Sequence, residues 1–211
     1  MDSNSAMVQG LISNGTLKSA VIIDAFMATD RRDFVTEGMS SIAYEDEPLP
    51  IGMGQTISQP STVAMMTEAL DPGIGMKILE IGTGSGYQAA ILSRIVGDSG
   101  KVITIERLEK LFENAKKSLG GYKNVSVVHA DGSLGCEREA PFDRIIVTAA
   151  SPGIPEPLKA QLADGGKLLI PVGKYSQQMT LVTKTQGGFR QEILGDFLFV
   201  PLIGRHGFGE E

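Results

Sequence analysis

Histidine, cysteine and tryptophan are almost missing from this chain of 211 residues, which has two histidines, one cysteine and no tryptophan. A single cysteine, Cys136, excludes an intrachain disulfide and suits a reducing compartment. Cys136, His129 and His206 are scattered, so neither a soft-metal ligand set nor a Cys-His nucleophile pair is expected. His129 falls in a strand pattern and reads as structural. A serine hydrolase is equally poorly served, because no G-x-S-x-G elbow occurs. Positive charge is short as well. The 19 Lys and Arg face 25 Asp and Glu, a net charge of −6 with no basic stripe, so nucleic acid is not an expected partner. No apolar run approaches membrane-spanning length. Residues 1–6 lack the basic-then-apolar order of a secretory signal. These absences give an expectation of a cytoplasmic protein with no membrane partner and no bound metal. The 42% hydrophobic and 21% charged content is that of one ordinary globular domain.

The most informative stretch is Lys77-Ile-Leu-Glu-Ile-Gly-Thr-Gly-Ser-Gly-Tyr87. A short apolar strand runs into three glycines spaced by single residues. A helical pattern follows, with Ala89, Ala90, Leu92, Ile95 and Val96 at intervals of three and four. Strand, glycine turn and helix form the entry to a nucleotide-binding βαβ unit; a tight structural turn is the simpler alternative. The dinucleotide fingerprint G-x-G-x-x-G fails at Tyr87, because the third glycine falls one residue early, at Gly86. That disfavours a nicotinamide dehydrogenase. Glu80 stands two positions before Gly82. Acidic-x-G-x-G-x-G resembles the first motif of class I S-adenosylmethionine-dependent methyltransferases. A second strand, Lys101–Ile105, ends in Glu106, 20 residues after Gly86. A carboxylate there can take two ribose hydroxyls; otherwise it caps the next helix.

Upstream, residues 5–29 read as two short helices. Val8, Leu11 and Ile12 face one way until Asn14-Gly15 stops the pattern. Leu17, Val21, Ile22, Ala25 and Phe26 form the second face, with Thr16 as a candidate N-cap. About 30 residues cannot bury a core of their own, so they pack on the following domain. Residues 42–60 carry three prolines and two glycines, which excludes a helix or a long strand. Such a loop is functional or disordered, and its apolar content argues against disorder. Ser58 is either a cap for the helix starting at Pro60 or a site residue. Glu45, Asp46 and Glu47 read as a solvated turn.

Gly54-Gln-Thr-Ile-Ser-Gln-Pro60, just before Leu79-Glu-Ile-Gly-Thr-Gly-Ser-Gly-Tyr87, resembles the protein-L-isoaspartate (D-aspartate) O-methyltransferase family. So do Asp33-Phe34-Val35, Ala43-Tyr44-x-Asp46, Asp131-Gly132 with Gly135, Ala140–Ala150, Gly165–Gly173 and Phe199-Val-Pro-Leu202. The glycine motif is shared by many methyltransferases, whereas the Thr-Ile-Ser-x-Pro loop and Val-Pro-Leu tail are more selective. Ile203 departs from the threonine common after Val-Pro-Leu.

The remaining residues agree with that plan. Residues 125–130 make a third strand ending at Asp131-Gly132, which reads equally as an Asp-Gly turn or as an acceptor for the adenine amino group; the resemblance favours the second. Residues 143–148 and 167–172 are further strands, flanking a helix over 155–163. Two strand-like runs, 179–184 and 189–199, are joined by Gln186-Gly187-Gly188, a hairpin signal. The expected fold is α/β: a Rossmann-like doubly wound, mostly parallel seven-stranded sheet with a C-terminal antiparallel hairpin and an N-terminal helical extension. One domain is expected, divided as N-terminal helices and active-site loop (1–60), cofactor-binding core (61–175), C-terminal strands (176–202) and a loose tail (203–211).

The resemblance implies an enzyme that moves a methyl group from S-adenosyl-L-methionine to the free α-carboxylate of isoaspartyl residues in damaged proteins and peptides. The products are a methyl ester and S-adenosyl-L-homocysteine. The ester then collapses to a succinimide unaided, and hydrolysis restores some normal aspartate; activity on D-aspartyl residues stays open. A carboxylate with a pKa of roughly 3.5 needs no base at neutral pH, which fits the scarcity of histidine. The implied cofactor residues are Gly82, Thr83, Gly84, Ser85, Gly86, Glu106, Asp131 and Gly132, with Glu80 supporting the amino-acid end. Ser58 is the implied catalytic residue. Thr56 and Ile57 share its wall, and Val200, Pro201 and Leu202 meet the peptide. A monomer is expected. The alternatives are a class I methyltransferase with another acceptor and a non-catalytic S-adenosylmethionine-binding module.

Overall fold

The computed structural model describes residues 3–209. Seven strands form the main sheet: β3 (Lys77–Ile81), β4 (Lys101–Glu106), β5 (Val125–His129), β6 (Phe142–Val147), β7 (Leu162–Val172), β8 (Gln177–Thr185) and β9 (Gly188–Phe197). Their spatial order is β5-β4-β3-β6-β7-β8-β9. Pairs from β5 through β7 are parallel, and β7–β8 and β8–β9 are antiparallel. Strand order reverses direction at β3, so a crevice opens at its carboxyl end between connections that leave on opposite faces. Register makes that end level: Ile81 lies opposite Ile105 on one side and Val147 on the other.

The inner strands are apolar throughout because both faces of a parallel sheet are covered. Along β3, Ile78 joins one core, while Leu79 and Ile81 join the other with Ile103, Ile105 and Ile145. The first core holds the helices α1 (Asn4–Ser13), α2 (Ala20–Ala28), α3 (Pro60–Leu70), α4 (Tyr87–Val96) and α5 (Glu109–Ser118). The second holds Leu158 of the short α6 (Glu156–Ala160). The helix α4 is buried on nearly all sides. A helix apolar all round needs cover on every face, and the N-terminal helices supply it: α2 lies across α4, and Phe26 meets the Tyr87 ring edge-on at 6.3 Å.

Several expectations change at this level. Thr16 does not cap α2. Its N–H bonds to Leu11 and Asn14, closing the end of α1, and Ser19 stands at the N-cap position. Val21 points out at 39% exposure, while Leu17 is buried ahead of the helix. The helix expected over 155–163 covers only Glu156–Ala160, because the chain rejoins the sheet at Leu162, opposite Phe142, before an irregularity sets the Arg144–Lys167 register. The loop at 42–60 folds a small antiparallel hairpin, β1 (Leu49–Gly52) with β2 (Gln55–Ile57). Asp46 is not merely solvated: its Oδ1 accepts the Ser61 N–H at 2.8 Å and so caps α3. Residues 203–208 are not a loose tail. The Phe208 N–H reaches the Leu202 carbonyl at 2.7 Å and the Gly204 N–H reaches the Phe208 carbonyl at 3.2 Å.

Candidate functional site

The glycine turn between β3 and α4 is pinned from both neighbouring strands. Gly82 and Thr83 donate their N–H groups to the Ile105 carbonyl. The Thr148 hydroxyl, just past β6, donates to the carbonyls of Ile81 (3.1 Å) and Gly82 (2.7 Å). Gly82 has φ +94, and a Cβ there would collide with that hydroxyl. Gly86 is also at positive φ, +92, and a Cβ would press within 3.0 Å of Leu119. It packs closely on Leu119 and is not among the residues lining the cleft.

Two carboxylates flank this turn. Glu80 lies opposite Thr104 in the β3–β4 register. Its Oε2 accepts the Thr104 hydroxyl at 2.6 Å, and Thr104 in turn shares a 2.7 Å hydrogen bond with Thr83. Glu80 is fully buried, and its Oε1 has no partner among the described residues. Burial, countered by Thr104 and reinforced by the nearby charge of Glu106, pushes the Glu80 carboxyl up to about 8. Glu106 ends β4. Its Oε2 accepts the Gly84 N–H and its Oε1 the Leu108 N–H, each at 2.9 Å. The carboxylate thus ties the glycine loop to the entrance of α5, and it retains acceptor capacity, since two oxygens offer about four lone-pair positions.

Across the cleft stand Gln55, Thr56, Ile57 and Ser58 from the hairpin, and Val200 to Ile203 from the segment after β9. These walls, with Glu80–Ser85, Glu106, Leu108, Leu111, Gly132 and Thr148, line a cavity of about 150 Å³ that opens to solvent. Ser58 is not the cap of α3: Gln59 holds the N-cap position, and Ser58 is half-buried in the cleft wall. Ala150 holds the Val200–Leu202 segment, with the Ala150 N–H on the Val200 carbonyl (2.8 Å) and the Leu202 N–H on the Ala150 carbonyl (2.7 Å). Among described residues, the Val200 N–H, the Pro201 carbonyl and the Ile203 N–H and carbonyl carry no hydrogen bond.

The chain matches the family model described as protein-L-isoaspartate(D-aspartate) O-methyltransferase over residues 2–207. It belongs to this family. A protein-L-isoaspartate O-methyltransferase of Methanococcus maripaludis is 50% identical over 204 residues, covering 96% of each chain. A solved protein-L-isoaspartate O-methyltransferase superposes with TM-score 0.89 at 32% identity, over 97% of this chain and 67% of that one. A putative one from Plasmodium falciparum, solved in complex with S-adenosyl-L-homocysteine, gives 0.85 at 26% identity over 96% and 99%. The fold expected for a methyltransferase of this family is the fold observed.

Of the sequence-predicted residues, the structure gathers Glu80, Gly82, Thr83, Gly84, Ser85, Glu106 and Gly132 on one side of the cleft. Thr56, Ile57, Ser58, Val200, Pro201 and Leu202 stand on the other. Gly86 and Asp131 stand outside its lining. The Asp131 Oδ1 accepts the Ser133 N–H and hydroxyl, and its Oδ2 accepts the Arg205 N–H at 2.8 Å. Asp131 therefore latches the C-terminal strap that carries Leu202 and Ile203. Partial burial works against its charge, but these donors outweigh it and hold the carboxyl below its ordinary range. Thr104, Leu108, Leu111 and Thr148 were not singled out from sequence. Thr104 had a usable signal, since equal offsets along adjacent parallel strands set it opposite Glu80. Among described residues no His/Cys/Asp/Glu cluster could hold a metal, and no helix is long and apolar enough to cross a membrane.

Proposed function

We propose that this chain is a protein-repair methyltransferase, which moves a methyl group from S-adenosyl-L-methionine to the α-carboxylate of L-isoaspartyl residues in proteins and peptides. The observation that carries this reading is the two-walled cleft. A glycine-and-carboxylate wall faces a Thr-Ile-Ser and Val-Pro-Leu wall across one opening.

The residues present fit the cofactor. Glu80 Oε1 is a buried acceptor without a partner among the described residues, which suits an ammonium group. Glu106 has lone pairs to spare for ribose hydroxyls. Leu108 and Leu111 offer an apolar surface beside it for a base. When bound, S-adenosyl-L-methionine supplies a methyl group activated on a sulfonium.

The protein's own task is alignment. An α-carboxylate is already ionised at neutral pH, so no general base is required, and the cleft contains no histidine. Ser58 presents a hydroxyl that can orient the acceptor carboxylate. Thr56 and Ile57 shape the wall around it, and the free Val200 N–H and Pro201 carbonyl can pair with the peptide backbone. Holding oxygen and carbon in line and excluding water supply the rate. All these groups come from one chain, so a monomer suffices. Its single, buried thiol, Cys136, suits a cytoplasmic setting.

The test uses one peptide in two forms, with an isoaspartyl or a normal aspartyl residue at the same position, and methyl-labelled cofactor. Label entering only the isoaspartyl form, as a base-labile ester, is the expected result. Label in neither form, with cofactor binding intact, refutes the acceptor assignment and leaves the fold assignment standing.

A further inference from the structure

Arg31 heads the largest fully buried side chains of the protein, at 0% exposure. It lies in a short 3-10 turn, Arg31–Phe34, after α2. Buried guanidinium groups are normally paired with carboxylates, because an unpaired interior charge is costly. Among the described residues no carboxylate forms an ion pair with Arg31. Its Nη1 donates to the Ala43 carbonyl, and its Nη2 donates to the carbonyls of Glu47 and Ser58, each at 3.1 Å. Its Nε has no partner among the described residues. Burial pushes the Arg31 pKa below its ordinary value, and Tyr87, Asp46 and Glu47 nearby work the other way.

The three carbonyls lie outside every helix and strand, so no ladder fixes them. Ala43 and Glu47 bracket the acidic loop, and Ser58 closes the hairpin at the cleft. A planar fork presents donors from separate nitrogens in fixed directions, whereas the three donors of an ammonium radiate from one atom and do not reach the same three positions. The same neighbourhood is otherwise well ordered. The Tyr44 hydroxyl donates to Asp30, and Asp46 caps α3, which begins two residues beyond Ser58. Arg31 therefore joins the acidic loop to the one residue of the hairpin whose side chain is assigned to the acceptor.

We propose that Arg31 is the positioning residue of the acceptor site: its guanidinium fork sets the Ser58 backbone against the 43–47 loop and so fixes where the Ser58 hydroxyl stands in the cleft. This rests on the acceptor role of Ser58. Arg31 is not among the residues lining the cleft, so its effect on the acceptor passes through Ser58.

The test is a double-mutant cycle on the full chain with Arg31→Lys and Ser58→Ala. Turnover of an isoaspartyl peptide is measured at saturating cofactor and normalised to cofactor-binding stoichiometry, which counts folded molecules. Arg31→Lys should lower turnover by about 5- to 10-fold, no more than removal of the Ser58 hydroxyl that it positions. Its cofactor affinity should stay within about twofold of the parent. In the Ser58→Ala background the same change should cost less than about twofold, because the group it positions is already gone. An equal loss in both backgrounds overturns the proposal while leaving Ser58 in place. A Ser58→Ala chain with parental turnover removes the Ser58 role and the proposal together. If Arg31→Lys binds no cofactor, Arg31→Gln, which keeps two N–H donors, takes its place in the cycle. Loss of cofactor stoichiometry in both variants also overturns the proposal, because Arg31 would then hold the fold rather than the loop.

Discussion

The cofactor wall of the cleft is drawn from one continuous βαβ stretch, Lys77 to Glu106, with Thr148 and Gly132 added from neighbouring strand ends. The acceptor wall gathers Thr56–Ser58 and Val200–Ile203, with Arg31 behind Ser58 and Asp131 behind the strap. The first is held by strand register and by side chains acting on a turn. The second lies outside the main sheet and is held by a short hairpin, by two backbone bonds to Ala150 and by isolated long-range side-chain hydrogen bonds. A wall built on register has its acceptors fixed before any ligand arrives. A wall built on isolated contacts can be loosened without disturbing the sheet. Substitutions in the two walls should therefore separate binding from turnover.

The largest expected separation is at Glu106. Glu106→Ala removes the acceptor of the Gly84 and Leu108 N–H groups as well as the proposed ribose acceptor. Charge-assisted hydrogen bonds contribute about 1.5–3 kcal/mol each, so cofactor affinity should fall by roughly 100-fold. The KM for the isoaspartyl peptide at saturating cofactor should change little. Calorimetry on the cofactor alone decides it, and an unchanged Kd would end the ribose assignment.

The opposite pattern is expected at Ser58. Ser58→Ala should lower turnover about tenfold, the scale of one positioning hydrogen bond near 1.4 kcal/mol, with cofactor affinity unmoved. It should leave the melting temperature nearly unchanged, because Asp46 and not Ser58 caps α3. A fall in melting temperature with unchanged turnover would return Ser58 to a structural role.

The same difference explains what could be read from residues in order. The βαβ stretch was legible because each device in it is local: apolar strand, spaced glycines, carboxylate at the next strand's end. The seven-stranded plan followed from the alternation of elements, and the hairpin of β8 and β9 from Gln186-Gly187-Gly188. The acceptor loop was recognisable as a motif, but its support was not. Arg31 beside Arg32 looks like surface charge, and only the fold reveals that one of them is buried on three carbonyls. Asp131 sits at a strand end where a cofactor acceptor belongs, yet its partners Ser133 and Arg205 are set by a strap whose sequence, rich in glycine, shows no periodicity. Long-range contacts made by one side chain leave no spacing behind.

A smaller, pH-dependent effect is expected at Glu80. Its folded carboxyl is raised from 4.5 to about 8. Between those values the unfolded chain loses a proton that the folded chain keeps, so this group's contribution to stability falls as pH rises and levels off above about 8. Glu80→Gln should flatten that part of the stability profile. An ammonium placed at Oε1 favours the ionised form, so cofactor binding near pH 7 should release a proton in the parent and none in Glu80→Gln. Calorimetry in buffers of different ionisation heat measures this directly, and equal release by both chains would exclude Glu80 as the group involved.

The smallest effect is expected at Asp131, where two roles make opposite demands. As the latch of the strap, its loss in Asp131→Ala frees the Arg205 N–H and the Ser133 hydroxyl. Arg205 is exposed, so trypsin should then cleave after it about tenfold faster, an opening of roughly 1.4 kcal/mol. Cofactor affinity should fall only about threefold, through displacement of Leu202 and Ile203, because no direct contact is lost. As an acceptor for an adenine amino group, the same carboxylate would leave trypsin cleavage unchanged and lower affinity by tenfold or more (about 1.4 kcal/mol). S-adenosyl-L-homocysteine and its analogue lacking the purine amino group separate the two. A latch weakens both ligands by the same factor when it is removed. A direct acceptor weakens only the ligand that carries the amino group. The arrangement of Asp131, outside the cleft lining and already holding Ser133 and Arg205, leads to the first outcome: equal factors for the two ligands and a strap that opens.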